Sequence, residues 1–343
     1  MNKNTNMKSK IKNNLIIVTI AMLIFNVFIV IFPENIVNAS REGLLLWLSN
    51  VLPALFPFIF GINLLMSLGI THFFGKYIGF FTKKIFNVPN VSGFAMVVGF
   101  TSGYPIGAKI ISELREREEI TKTQGERLLS FCNNSGPLFI LGTVGTAMFQ
   151  NRYIGIFILI THYISAIITG ILFKYYKIGE KEKEFINTKK ILGKNYKIEK
   201  KENFFFIFTE SIVKSMGSMI TIGGFIIIFN VVIEIVKISN VIYYLYIFLD
   251  NFITLEFLNG LIFGFIEITN GINNLNYSIS FANILAVSCI ISFGGLSIHA
   301  QSISFIAKTD MSIKIYFLGK LIHSFITFFV GIGLYYWFFI NFF

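Results

Sequence analysis

The stretch SFCNNSGPLFILGTVG, Ser130 to Gly145, sets Asn133, Asn134 and Ser135 ahead of Gly136 and Pro137, inside a run that is otherwise apolar. Amide and hydroxyl side chains are expensive in hydrocarbon, and a polar residue followed by Gly-Pro and an apolar run is a helix-start signal. The segment reads as a membrane helix that is interrupted and then restarts. A half-helix that begins at such a break presents free amides and the positive end of its dipole to a ligand. The competing reading is a capped helix at the membrane surface with no ligand, which the nearby Arg127 favours.

Upstream, GFTSGYPIGAK, Gly99 to Lys109, breaks a second apolar run with three glycines and a proline. Pro105 removes an amide donor and disfavours helix at Tyr104, while Gly103 and Gly107 permit close backbone approach or positive φ. Irregular backbone at membrane depth survives only where protein or water covers it, so Ser102, Gly103, Tyr104 and Pro105 are expected at a hairpin tip facing a cavity. The plainer alternative is a proline-kinked helix with glycines on a packing face. Between the two motifs, Ile111 to Leu129 is charged and amphipathic and is expected to be a solvated helix capping the cytoplasmic face.

Downstream the pattern recurs. GFIEITNGI, from Gly264, carries Glu267, Thr269 and Asn270, and a carboxylate in such a segment is by default a functional-site candidate as solute contact, proton carrier or cation ligand. Its alternative is an interfacial loop residue, since Asn273 and Asn274 follow. SFGGLSIHAQS, Ser292 to Ser302, again places a glycine break before hydrogen-bonding side chains, here Ser297, His299 and Gln301. A lone histidine is more often a satisfied packing residue than a ligand or proton relay.

Composition sets the surroundings of these motifs. Of 343 residues 54% are hydrophobic and 14% charged, too little polar surface to clothe a soluble globule, so the exterior is expected to face lipid. Length leaves room for about eight to ten membrane segments, some broken or re-entrant. The net charge of +11 does not indicate nucleic acid, because the lysines sit at the ends of apolar runs and in one central loop, where cytoplasmic charge belongs. Cys132 and Cys289 form no CxxC, and the histidines are scattered, so neither a disulfide framework nor a metal site is expected. No Walker, GxSxG or HExxH pattern occurs, so the chain is not expected to be an enzyme.

Leu15 to Phe32 reads as a retained first transmembrane helix, and 1–43 as that helix with its loop. Apolar blocks follow at Leu44–Ile70, Val91–Ile111, Phe131–Phe149 and Tyr153–Phe173, making a first unit, 44–173. Lys174 to Glu202 carries ten lysines and five glutamates and reads as part of a charged cytoplasmic linker, 174–203. A second unit, 204–343, offers blocks at Phe204–Val236, Val241–Ile268, Ile279–Ala307 and Ile315–Phe343. THYISAIITGIL, from Thr161, pairs with LIHSFITFFVGIGL, from Leu321, and SFCNNSGPL with CIISFGGLS, both at offsets near 160 residues. The basic N-terminus and linker place both inside. An odd number of full crossings per unit then makes the two repeats inverted.

At GFTSGYPIGAK, LLSFCNNSGPLFILGTVG, EITNG and SFGGLSIHAQ the sequence resembles the sporulation integral membrane protein YlbJ family, over most of the chain beyond its first helix. The resemblance implies a Gate, or nucleoside recognition, architecture and a role in building the endospore, in cortex formation. The expected fold is an all-α, polytopic transmembrane helical protein with two inverted Gate-type repeats containing re-entrant hairpins and interrupted helices. The candidate solute site is Ser102, Gly103, Tyr104, Pro105, Asn133, Asn134, Ser135, Gly136, Glu267, Thr269, Asn270, Ser297, His299 and Gln301. Membrane lipid and a small solute are the expected partners, with no cofactor; a coupling cation or proton stays open. The alternatives are a structural or assembly factor that moves nothing, and an intramembrane enzyme.

Overall fold

Each apolar block forms helix, as backbone groups in lipid must when no sheet can close. The computed structural model describes residues 2–177, 203–276 and 278–342, and no strand occurs among them. Among the described residues, five helical stretches are long and apolar enough to cross a membrane: Pro33–Ser67, Arg152–Phe173, Phe204–Ile238, Phe281–Ile306 and Ile313–Trp337. Shorter apolar helices lie at Leu15–Ile31, Ser92–Thr101, Leu138–Met148 and Leu255–Ile266. Large side chains such as Phe205 and Phe329 stand 72% and 56% exposed, which is the surface expected against lipid tails rather than water.

The first half begins with α1 (Asn2–Ile31) and α2 (Pro33–Leu46), which runs through a π-type turn at Trp47–Val51 into α3 (Leu52–Ser67). α4 (Ile70–Phe86) leads to a hairpin of two short arms, α5 (Ser92–Thr101) and α6 (Ile106–Glu116). At about 1.5 Å per residue each arm is about half as long as a membrane is thick. α7 (Lys122–Phe131) then breaks at Cys132 to Pro137 before a π-type helix at Leu138–Met148, and α8 (Arg152–Phe173) closes the half.

The second half repeats this order of element types. The long α9 (Phe204–Ile238) and the short α10 (Val241–Ile247) precede a hairpin of α11 (Leu255–Ile266) and α12 (Ile268–Leu275). A broken helix follows as α13 (Phe281–Phe293) and α14 (Gly295–Ile306), and α15 (Ile313–Phe342) ends the chain. Like elements meet across the two halves: α2 and α3 pack on α9, and α8 packs on α15. One apolar core joins Ile59, Phe94, Ile110, Phe131 and Met219, and a second joins Ile140, Phe157, Ile272 and Val287.

Several boundaries differ from expectation. Helix begins at Pro33 rather than Leu44, because proline is well suited to a first helical turn. Val241–Ile268 is not one block: Thr254 caps α11 through the Phe257 amide, and Glu267 stops it. Ile111–Leu129 is not one solvated helix either. It comprises the end of α6, a turn, and an α7 whose start is fixed by a capping box between Thr121 and Gln124. Glu126 and Arg127 there are 1% and 2% exposed. Arg127 donates to the carbonyls of Asn87 and Tyr176, and Glu126 accepts the Ser312 amide at 2.9 Å, so this stretch fastens one half to the other. Most of the expected linker, from 178 to 202, lies outside the described residues.

Candidate functional site

Glycines bring the hairpin tips onto the helix breaks, main chain against main chain. A Cβ on Gly99 of α5 would lie 1.8 Å from the Cys132 carbonyl oxygen, and one on Gly107 of α6 would lie 2.1 Å from the same atom. Both arms of the first hairpin therefore grip the break after α7. At the tip, Gly103 has φ +85° and sits against Gly136, where a Cβ would meet the Gly136 nitrogen at 3.0 Å. The second hairpin repeats the device. A Cβ on Gly271 would stand 2.1 Å from the Gly264 Cα, and Gly295, the first residue of α14 after the break, packs near the Gly264 carbonyl.

The sequence-selected residues divide by what they bond. Asn133 is satisfied: Oδ1 accepts the Ala108 amide at 3.1 Å, and Nδ2 donates to Ser302 Oγ at 2.9 Å and Tyr316 Oη at 3.2 Å. It stitches the hairpin, the break, α14 and α15 together. Glu267 caps its own hairpin arm, its two oxygens accepting the amides of Thr269 (3.0 Å) and Asn270 (2.9 Å) and the Asn270 side chain (3.0 Å). Ser297 accepts from Gln301 Nε2 at 3.3 Å, one turn along α14. Ser102, Gly103, Pro105 and Gly136 contribute backbone shape.

The remaining candidates keep buried polar atoms in reserve: Asn134 Oδ1 and His299 Nε2 have no hydrogen-bond partner, and Tyr104 Oη and Ser135 Oγ have only one another in reach. Asn134 and Ser135 are 0% and 1% exposed, and His299 is 2%. Tyr104 stands within electrostatic range of Glu267 and Tyr316, which brings the two hairpin tips to one region.

Sequence reasoning passed over the residues at the centre. His162 on α8 and His323 on α15 lie at matched positions of the two repeat strings, with ring centroids 4.7 Å apart. Both are fully buried. An amide can only donate, so the Ser135 N–H to His162 Nε2 contact, 3.2 Å, leaves the His162 proton on Nδ1, which gives it to Ser292 Oγ at 2.8 Å. His323 Nε2 in turn donates to the His162 carbonyl at 2.9 Å, and Thr327 Oγ1 lies 2.8 Å from Ser292 Oγ. The bonds tie α8, α13, α15 and the first break into one network. Partnerless atoms edge it: His323 Nδ1, Thr161 Oγ1 and Lys320 Nζ.

α15 supplies this face because Tyr316, Lys320, His323 and Thr327 recur at spacings of four, three and four, one stripe of a 3.6-residue helix. All four are 0% exposed. α8 does the same with Thr161, Ser165 and Thr169, whose lower two hydroxyls bond carbonyls one turn back at 2.7 and 2.8 Å. The signal was in the sequence: a histidine or lysine in the middle of a crossing is costly enough to need a reason. Lys109, in the first motif, is answered differently, bonding Glu113 at 2.6 Å and Asn63 Oδ1 at 2.5 Å. No group of three or more metal-ligating side chains occurs among the described residues.

Comparison with known proteins agrees with this architecture. Residues 48–179 match the Gate family, described as nucleoside recognition. That range takes in the first hairpin, the first broken helix and α8. Over 332 residues, 91% of this chain and 81% of the relative, the sequence is 30% identical to the sporulation integral membrane protein YlbJ of Bacillus subtilis (strain 168). No solved structure matches the chain.

Proposed function

The chain belongs to the family of the sporulation integral membrane protein YlbJ, and from that premise we propose that it binds a small polar solute at the meeting point of its two broken helices and carries it across the membrane. It is a multi-pass integral membrane protein. One observation carries the reading: Asn134, Thr161, His299, Lys320 and His323 bring partnerless buried polar atoms, and Tyr104 and Ser135 a pair of buried hydroxyls, to the junction of hairpin tips and helix breaks. Each such group costs about 1–3 kcal/mol when left unmatched, a large charge against a net stability of roughly 5–15 kcal/mol. A fold that keeps them gains something for function.

In this reading the two halves are inverted repeats, the N-terminus and the charged linker lie in the cytoplasm, and access alternates as the hairpins rock against the breaks. The solute leaves unchanged, with no cofactor and no nucleic acid taking part, and the work serves endospore cortex formation. A second reading, a non-transporting assembly factor, draws on the near-complete burial of Asn134, Ser135, Thr161, His299, Lys320 and His323.

Reconstitution separates the two. Purified protein in proteoliposomes should take up at least one labelled solute from a panel of nucleosides, amino sugars and peptidoglycan precursors, and Asn134→Ala should reduce that uptake at least tenfold. Protein-dependent uptake of none of them, with normal sporulation by an Asn134→Ala strain, would leave the assembly role standing.

A further inference from the structure

Lys320 is the residue of the central network that brings an amine, a cation whenever it is protonated, with no carboxylate bonded to it. It is 0% exposed, and its Nζ has no hydrogen-bond partner. Its place is held from both sides along α15. One turn before it, Tyr316 is bonded by Asn133 of the first break and by His299 Nδ1 at 3.1 Å. Just after it, His323 is bonded to α8. Beside it, Gly319 packs so closely on α7 that a Cβ would lie 2.6 Å from the Ser130 Cα. The lysine therefore projects toward the break at Cys132 to Ser135, and it interacts electrostatically with Cys132, His162, His299 and His323.

The other partnerless atoms fit an acceptor-rich guest. Tyr316 Oη accepts from Asn133 and meets His299 Nδ1; in the tautomer in which Nδ1 takes the Tyr316 proton, His299 carries its own proton on the partnerless Nε2 as a donor. Ser135 Oγ and Tyr104 Oη, within reach of each other, offer further hydroxyls. Glu267, the carboxylate among the candidate site residues, has both oxygens committed to its own helix cap and forms no salt bridge with Lys320. An ammonium out of water is stable only when an opposite charge joins it.

We propose that Lys320, with His299 and Ser135, forms the subsite that takes an anionic group of the solute, a carboxylate or a phosphate, so that the cargo is an anion rather than a neutral nucleoside or a cation. The inference rests on the transport reading above. Lys320 supplies the charge, His299 Nε2 and Ser135 Oγ share the remaining oxygens, and the histidine pair fixes the break that presents them. The same chemistry belongs to a phospholipid headgroup and to a soluble anion, and the test distinguishes them.

Full-length protein in detergent is titrated with matched pairs: uridine and uridine 5′-monophosphate, N-acetylglucosamine and its 1-phosphate, glycerol and glycerol 3-phosphate, with phosphatidylglycerol in mixed micelles as a separate arm. The expected result is a rise in Tm of several degrees with the anionic member of at least one pair and none with its neutral partner. Lys320→Met should abolish that rise while leaving the unliganded Tm equal or higher, because it removes an uncompensated charge at similar volume. A rise with phosphatidylglycerol and with no soluble anion assigns the subsite to a headgroup and overturns the soluble cargo. Equal rises for neutral and anionic members, or a full rise in Lys320→Met, overturn the subsite but leave a solute site standing. No rise in any arm overturns both. A Lys320→Met protein that melts well below wild type without ligand marks the lysine as structural and also overturns the proposal.

Discussion

His162 and His323 face one another at 4.7 Å between ring centroids, and only one of them is fully bonded. His162 takes the Ser135 amide on Nε2 and reaches Ser292 through Nδ1, whereas His323 uses Nε2 alone. The two rings are equal in position and unequal in duty.

His162→Ala should therefore be the more damaging of the two replacements. It leaves the Ser135 amide unpaired in a buried break, at about 1–3 kcal/mol, beyond the loss of packing. His323→Ala removes one bond to a carbonyl that also belongs to helix α8. Thermal melts of the two variants in detergent check the order, and a lower Tm for His323→Ala would contradict it.

Gly99→Ala and Gly107→Ala should each prevent correct assembly or lower stability by more than about 2 kcal/mol, because the new Cβ meets a backbone carbonyl that cannot turn aside. Gly217→Ala, on α9 with nothing within 4 Å, is the control, neutral or stabilising by up to about 1 kcal/mol. Yield of monodisperse protein and Tm measure all three. Equal tolerance would mean that hairpin and break do not touch.

Glu267 is assigned to a helix cap, so Glu267→Ala should cost about 0.5–2 kcal/mol. Glu267→Gln, which keeps one acceptor oxygen, should recover part of that loss and retain binding of whichever solute stabilises wild type. Loss of binding in the glutamine variant at unchanged Tm would return the carboxylate to the solute.

Arg115 grips Asp310 through two bonds, 2.8 and 3.1 Å, and the hydrogen bond holds the Asp310 carboxyl below its usual range. A depressed folded-state value means stability present above the unfolded carboxyl value, near 4, and lost as pH falls through the lower folded value. The aspartate side chain is 52% exposed, so solvent screening limits the effect to within about 1 kcal/mol. Asp310→Asn should lower Tm slightly at pH 7, and the difference should shrink as pH falls through the carboxyl range. A difference that persists unchanged at the acid end would assign it to packing.

A single cysteine at Lys190, in the central charged segment, should react with an impermeant maleimide only after the membrane is opened, in a background where Cys132 and Cys289 are replaced. Labelling of intact cells would invert the proposed orientation.

The broken segments were legible because glycine, proline and amide side chains in an apolar run violate the rules of a straight crossing, and GFTSGYPIGAK and SFCNNSGPL both announce this. What those residues bond was not legible. Asn133 and Glu267 look alike as polar intrusions, yet one joins four elements and the other serves its own helix, a difference decided by tertiary neighbours. His162, Lys320 and His323 escaped for the opposite reason. Each lies in a helix that runs on unbroken, with no proline nearby, and the one adjacent glycine, Gly319, leaves α15 continuous. Charge pattern misled at Ile111 to Leu129, where Glu126 and Arg127 are buried because backbone groups on other segments receive them.

The contact of Gly99, Gly103 and Gly107 with the chain from Cys132 to Gly136 has a mechanical meaning. Ordinary helix seams are toothed: side chains of one partner lodge between those of the other, and sliding requires each to climb out of its notch. Here the bearing surface is bare main chain, so a small glide of the hairpin meets little rotameric friction. Resistance comes instead from a few directional bonds, the Ala108 amide to Asn133 and the Tyr163 hydroxyl to the Phe100 carbonyl, which act as detents on a smooth track. In the transport reading proposed above, a guest that competes for such bonds loosens the tip of the hairpin, while Phe94 and Ile110 hold its arms in the apolar core.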